Sequence, residues 1–305
     1  MELLTAEETR VRLPYPALAD AIREALLGER SGEAQAPARM HLPLPEDGTL
    51  LVMPAADGEI AVTKLVTFHP GNAARGMETI QGEVVVMEAG TGTRLGVLDG
   101  PTVTGRRTAA VSLLAARELA PHPGAPLLLV GAGVQARSHL EAFREGLGTS
   151  EVSIVSRTAE KAQALAEHAR GLGLRASVAG SAAEVLDGVG MIVTATTSPE
   201  PVLPDELPAE TFVAAVGSFR PEMAELPPAL VASATVVVDN LEGAREEAGD
   251  LIRASQSGAF GWKDAVTLGG AISGGRLPAA RPVVFESVGH ALWDLAAARL
   301  AYGKG

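Results

Sequence analysis

Apolar side chains recur at helical intervals between Tyr15 and Leu27, and beyond the polar, Gly- and Pro-containing stretch SGEAQAP the period shortens to the alternation expected of strands. The segments ARMHLPL, TLLVMPA, EIAVTKLVTF, TIQGEVVVMEA and TRLGVLDG are separated by Asp-Gly, Pro-Gly-Asn or Gly-Thr-Gly turns, which predicts an antiparallel meander of five strands. Next, TGRRTAAVSLLAARELA places Val111, Leu114, Ala115 and Leu119 on one helical face, with Thr104 as the expected cap of the first turn. PHPGAP breaks the chain. Beyond it an apolar strand (LLLVGAG), a helix, a strand (EVSIVSR), a helix (AEKAQALAEHAR) and further strands at GMIVTAT, TFVAAVG and TVVVD alternate, which implies crossover connections and a parallel sheet. The closing segment, FESVGHALWDLAAARLAYG, has an amphipathic helical pattern. The expected class is α/β, with a parallel-sheet domain and an α+β domain whose sheet is mainly antiparallel.

Composition narrows what these elements do. The chain has 305 residues, 47% of them apolar, enough for two modest cores. Acidic residues outnumber basic ones by 37 to 25 and no basic patch is concentrated locally, so nucleic acid and anionic membranes are not expected partners. With no cysteine, disulfides, thiolate zinc sites, iron–sulfur clusters and cysteine nucleophiles are excluded together. The six histidines are scattered, so a catalytic metal is not expected. Glu2, Glu7 and Glu8 stand where a secretory signal would be basic and then apolar, and no apolar run is long enough to span a bilayer, so the expected location is cytoplasmic.

The segment Gly131, Ala132, Gly133, Val134, Gln135 and Ala136 contains G-x-G-x-x-A between a strand and a helix. Small residues there permit a tight turn and bring backbone N–H groups against a pyrophosphate, the signature of a Rossmann-type, doubly wound dinucleotide-binding sheet. At the tip of the second strand, Ser156, Arg157 and Thr158 stand where an NAD-selective site would offer a carboxylate to the ribose. Guanidinium and hydroxyl donors suit a 2′-phosphate, so NADPH is expected in preference to NADH. The alternative is a solvated Arg157 with both cofactors bound. Ala195, Thr196 and Thr197 close one later strand, and Val216, Gly217 and Ser218 another, where carboxyl-end loops line the cofactor crevice; ordinary loop entries would look the same.

In EIAVTKLVTF, Ile60, Val62, Lys64 and Val66 share one face, so Lys64 interrupts an apolar stripe. A buried ammonium needs a partner or a task, such as a substrate carboxylate or a proton transfer, unless the side chain snorkels from an edge strand. Arg107 falls in the first turn of the helix expected after Thr104, where the dipole disfavours a cation and an anion would reverse the sign. Arg39, ahead of the first strand, reads on its own as an exposed arginine.

Taken in order, Arg39, Lys64 in VTKLVTFHPGN, Thr79 in METIQG, Arg107 in GRRTAA, GAGVQA and SRT resemble the ornithine cyclodeaminase and mu-crystallin family over essentially the whole chain. The stretches VAAVGSFRPEMAEL, VVVDNLEGAREEAGDL and SVGHALWDLAAA are most similar to the family's bacterial Δ1-pyrroline-2-carboxylate reductases. The resemblance implies a substrate-binding and dimerisation domain over 1–120 and 286–305, a dinucleotide domain over 121–285, and a homodimer paired through the first domain's sheet. It implies that Arg39, Lys64 and Arg107 hold a substrate carboxylate, with Thr79 a further contact and Val288 and Gly289 the segment approaching from the end of the chain.

One departure matters. The family's cyclodeaminases carry an aspartate two residues after the glycine matched by Gly217, and here that position is Phe219, with Glu222 and Glu225 nearby but unmatched. Deamination of ornithine and alanine dehydrogenase chemistry both lose a group that engages the amine. Reduction of a cyclic 2-imino acid such as Δ1-pyrroline-2-carboxylate or Δ1-piperideine-2-carboxylate to L-proline or L-pipecolate needs only a held carboxylate, a protonated nitrogen and a hydride, with Lys64 the candidate catalytic group and Phe219 a wall for the ring. Alanine dehydrogenase or cyclodeaminase activity, or a crystallin-like NADPH-binding protein without turnover, are the alternatives.

Overall fold

The computed structural model describes residues 1–274 and 281–303. Residues 275–280 and 304–305, which fall within the expected dinucleotide and substrate ranges, lie outside the described residues. The chain divides into two compact units, Met1–Val111 with His290–Gly305, and Ser112–Gly289.

The first unit contains β1 (Glu2–Leu3), α1 (Ala6–Arg12), α2 (Tyr15–Ser31), β2 (Met40–Leu44), β3 (Gly48–Ala56), β4 (Ile60–Phe68), β5 (Ile80–Glu88), β6 (Arg94–Asp99) and the start of α3 (Gly100–Leu119). Its sheet runs β1-β6-β5-β4-β3-β2. The meander β2 to β6 is antiparallel, as the alternation predicts, and the short β1 adds a parallel edge on β6. β4 is an interior strand, so Lys64 sits between Met53 of β3 and Val84 of β5 and has no sheet edge from which to snorkel. Its face is buried at Ile60, Val62, Lys64 and Val66.

The second unit supplies β7 (Leu127–Val130), α4 (Val134–Leu147), β8 (Glu151–Val155), α5 (Ala159–Gly171), β9 (Arg175–Ala179), β10 (Met191–Thr194), β11 (Phe212–Ala215), α6 (Pro228–Ser233), β12 (Thr235–Val238), α7 (Leu241–Glu247), α8 (Gly249–Gln256), β13 (Val266–Thr267), α9 (Leu268–Ile272) and β14 (Val283–Glu286). Its sheet is parallel throughout, in the order β13-β12-β14-β11-β10-β7-β8-β9. β7, β8 and β9 step to one side and β10 and β11 to the other, so the order reverses at the carboxyl ends of β7 and β10, where open α/β sheets bind ligands. The four-residue strands β7, β10, β11, β12 and β14 are buried at every position, the continuous apolar type that a sheet covered on both faces requires. The expected class holds: a parallel-sheet α/β unit and an α+β unit whose sheet is mainly antiparallel.

Two expectations are corrected. α3 begins at Gly100, so Thr104 lies inside the helix and Arg107 is not in its first turn. Asp99 supplies the cap, its Oδ1 accepting from Thr102 N at 2.8 Å, and Pro101 suits the first turn because its missing N–H has no helical partner there. The closing segment is not one helix: VVFE forms β14, and α10 (Ala291–Tyr302) begins five residues later. From Ala291 to Ala298 every residue of α10 is buried, so it is a core helix without an amphipathic stripe; within the first unit it packs on α2, β3 and β4. No helix among the described residues is long and apolar enough to cross a membrane.

Candidate active site

Lys64 reaches its partner across the first unit. Its Nζ donates to Asp294 Oδ1 at 3.0 Å, with Oδ2 also at 3.0 Å but outside hydrogen-bond geometry. Asp294 is wholly buried on α10 and Lys64 is 2% exposed. Arg107, 6% exposed on α3, brings its Nε to 3.7 Å from the same Oδ1. Arg39, half-buried just ahead of β2, lies close enough to act on Lys64 through its charge. Burial lowers the Lys64 ammonium to about 8; Asp294 pulls the value up, while Arg107 and Arg39 push it down. The helix-terminus argument for Arg107 therefore gives way to a different one: a carboxylate from α10 offsets its charge. Thr79 precedes β5, half-buried, its carbonyl accepting from His69 N at 2.9 Å.

In the second unit, the β7–α4 turn has the form a dinucleotide needs. Gly131 adopts φ 121°, and a Cβ there would stand 2.4 Å from the Ala195 carbonyl oxygen, so only glycine lets the two turns meet. Gly133 caps α4 with extended backbone and no side-chain hydrogen bond, and a Cβ there would meet nothing within 4 Å. The space beside Gly133 at the helix start is thus open, as close approach of a phosphate to a helix N-terminus requires. Ala132 and Gln135 are half-buried, Val134 is exposed, and Ala136 is buried under the turn. Ser156, Arg157 and Thr158 follow β8, with Arg157 exposed, Thr158 capping α5 and no carboxylate among them.

Buried carboxylates shape the remaining carboxyl-end loops. Glu225 accepts from Thr196 N at 2.6 Å and Gly217 N at 2.8 Å, tying the exits of β10 and β11 together. Asp250 Oδ1 accepts from Glu225 N and Leu226 N, and its own N donates to Ser218 Oγ. Asp239 Oδ2 accepts from Ser287 Oγ and Gly289 N, which fixes the exit of β14 where Val288 is buried and Gly289 takes φ 87°. Burial, and then the neighbouring Asp250, push Glu225 up to about 7; burial raises Asp250 to about 6. Ala195, Thr197 and Val216 flank these ties within the same loops.

Phe219 is half-buried after β11. Neither nearby acid takes the place of the missing aspartate, because Glu222 is exposed beside Arg220 and Glu225 is turned inward on backbone N–H groups. Asp294 is absent from the sequence-based candidates, and Glu225 appears there only as an unmatched acid near Phe219, not as the tie between the exits of β10 and β11. Asp294 left a trace as the lone charge in the apolar run ALWDLAAA, whereas Glu225 resembled any loop acid.

A doubly wound parallel sheet with a glycine turn at its switch point, joined to an antiparallel sheet bearing a buried cation cluster, places the protein among the Rossmann-type dehydrogenases. A family model described as Ornithine cyclodeaminase/mu-crystallin family matches residues 1–304, and the chain belongs to that family. It is 39% identical over 297 residues to Delta(1)-pyrroline-2-carboxylate reductase 1 of Burkholderia multivorans, covering 97% of this chain and 93% of the relative. Its fold matches the Thermococcus litoralis Delta(1)-pyrroline-2-carboxylate reductase in complex with NADH and L-proline, with a TM-score of 0.93 and 27% identity over 99% of this chain and 96% of that one. An archaeal alanine dehydrogenase dimer with bound NAD matches with a TM-score of 0.90 and 28% identity, over 99% of this chain and 95% of that one.

Proposed function

We propose that this protein reduces the cyclic 2-imino acids Δ1-pyrroline-2-carboxylate and Δ1-piperideine-2-carboxylate to L-proline and L-pipecolate, as a homodimer that uses NADPH in preference to NADH. The observation that carries the reading is the buried cluster in which Lys64 and Arg107 meet the Asp294 carboxylate. Cationic side chains gathered at this depth suit a substrate carboxylate, whose oxygens their N–H donors would share. Arg39 and Arg107 clamp that carboxylate, Thr79 adds a polar contact, and Phe219, Val288 and Gly289 serve as the remaining substrate contacts. A dinucleotide held by Gly131 to Ala136, Ser156 to Thr158, Ala195 to Thr197 and Val216 to Ser218 supplies the hydride.

The proton comes from Lys64. A positive Lys64 disfavours an imine that arrives already protonated, so the neutral imine binds and takes its proton from the ammonium as the hydride reaches C2. The imine C=N π pair ends on nitrogen in the new N–H bond, the hydride forms the C2–H bond, and neutral Lys64 is reprotonated by water. An ammonium lowered to about 8 is a stronger acid than an ordinary lysine. Arg157 favours NADPH because its guanidinium, with the Ser156 and Thr158 hydroxyls, suits a 2′-phosphate. Reductive amination of pyruvate is not favoured, since no carboxylate takes the role that Phe219 vacates.

The test follows NADPH absorbance with Δ1-pyrroline-2-carboxylate, repeated with NADH and with Lys64→Ala. Turnover that prefers NADPH and drops by about 100-fold or more in the variant is expected. If neither imine is reduced with either cofactor, the reading is lost.

A further inference from the structure

The cluster described above contains one member to which no contact with substrate is assigned. Asp294 lies on a helix buried on all sides, at a sequence separation of 230 from Lys64, and its two oxygens both sit 3.0 Å from the Lys64 Nζ. A carboxylate at this depth is costly unless it has electrostatic work to do. Here it faces Lys64 directly and Arg107 at 3.7 Å. We propose that Asp294 is a positioning residue for the imine reduction: its carboxylate keeps the Lys64 side chain protonated and aimed, and holds Arg107 in the same cluster.

Lys64 has four single bonds to rotate about, and β4 fixes only its Cα. Its sheet neighbours Met53 and Val84 carry no charge, and the buried face of α2 (Tyr15, Leu18, Ala19, Ile22, Ala25 and Leu26) carries none either. The charges that act on Lys64 are Asp294 from α10, Arg107 from α3 and Arg39 from the segment before β2. Two of the three are cations that expel its proton. Asp294 alone opposes them and the burial, so without it the ammonium would be lost at a much lower pH. The inference rests on the imine-reductase reading for its catalytic consequence, while the Lys64–Asp294 coupling stands apart from any substrate.

The chain has four lysines, Lys64, Lys161, Lys263 and Lys304, so carbon-13 labelling at lysine Cε gives a spectrum simple enough to titrate in the full-length protein. Lys64→Arg assigns the Lys64 signal by its disappearance. The expected result is a parent midpoint near 8 that falls by about one pH unit or more in Asp294→Asn and returns toward the parent in Asp294→Glu, which keeps the charge. The alkaline limb of kcat/KM with Δ1-pyrroline-2-carboxylate should move with it, and kcat at pH 7.5 should fall about tenfold or more in Asp294→Asn with little change in KM. A purely structural aspartate would lower thermal stability and leave both midpoints where they were. An unmoved Lys64 midpoint in Asp294→Asn overturns the inference. If that variant does not fold, a parent Lys64 already neutral at pH 7 overturns it without any variant, and one still charged at pH 7, where burial and the neighbouring cations favour the neutral form, supports it. Absent imine turnover with shifted midpoints defeats the functional reading alone.

Discussion

Glu286 closes β14 inside the second unit and is 1% exposed. Both its carboxylate oxygens are buried without a hydrogen-bond partner, and burial followed by the fields of Asp250, Glu225 and Asp239 holds it well above the usual carboxylate range. Glu225, raised to about 7, behaves alike. Because both folded-state values lie above the unfolded ones, the native state binds more protons; the contribution of Glu225 to stability declines as pH rises from about 4.5 through about 7, and that of Glu286 declines in the same direction. His139 works in the opposite window: burial lowers it to about 4, so the fold loses stability as pH falls from 6.5 toward that value. Replacing Glu286 by Gln removes the ionisable group at nearly constant shape. Thermal melts should show a gain of about 1–3 kcal/mol at pH 8 and a smaller gain at pH 5. Equal gains at both pH values would mean that Glu286 keeps no proton against its neighbours. None of this was legible in VVFE, where one glutamate closing an apolar run looks like a strand end reaching water. Lys64 was legible because it breaks a period-two apolar stripe. Its partner was not, since nothing local joins residues 64 and 294.

Elements with a long, consistent period were read correctly, and those whose start signals competed were not. The five strands of the meander fall within a residue or two of their expected places because both their alternation and their turns agree. α3 starts earlier than its pattern suggests because Thr104 is a good capping residue, while Gly100 closes the strand segment TRLGVLDG and Pro101, which suits a helix start, falls outside the apolar period. β14 overlaps the expected closing helix at Phe285 and Glu286 because no Pro or Asp-Gly turn separates them from SVGHALWDLAAA, whereas the other four-residue strands are set apart by their loops. The β7–α4 turn is the opposite case, since its glycines sit between two unambiguous elements. At Gly133 the backbone is extended and a Cβ would meet no atom within 4 Å, so Gly133→Ala should fold with a parent-like melting temperature. What the methyl occupies is the space a pyrophosphate would enter, and NADPH binding by calorimetry should weaken about tenfold or more. Unchanged affinity would remove the pyrophosphate from that turn.

At the scale of the whole molecule, charge and edge chemistry bear on assembly. Each chain carries a formal net charge of −12, so two copies repel at long range and their contact must be supplied by short-range apolar burial. β2 is the outer strand of the first unit's sheet, pairing among the described residues with β3 alone, and it presents Met40 at 62% and Leu42 at 50% exposure. An uncovered apolar edge of this kind invites pairing with another strand, and pairing with its own copy about a two-fold axis closes it in a single step. Such an interface places each Leu42 near the partner's copy of the same strand, so Leu42→Arg sets two like charges against each other in a desolvated contact. Light scattering should give a parent mass twice the chain's 31.3 kDa and a variant shifted toward 31.3 kDa. A parent that already runs as a monomer would end the homodimer reading. A dimeric parent with an equally dimeric Leu42→Arg variant would keep the dimer and move its interface away from the β2 edge.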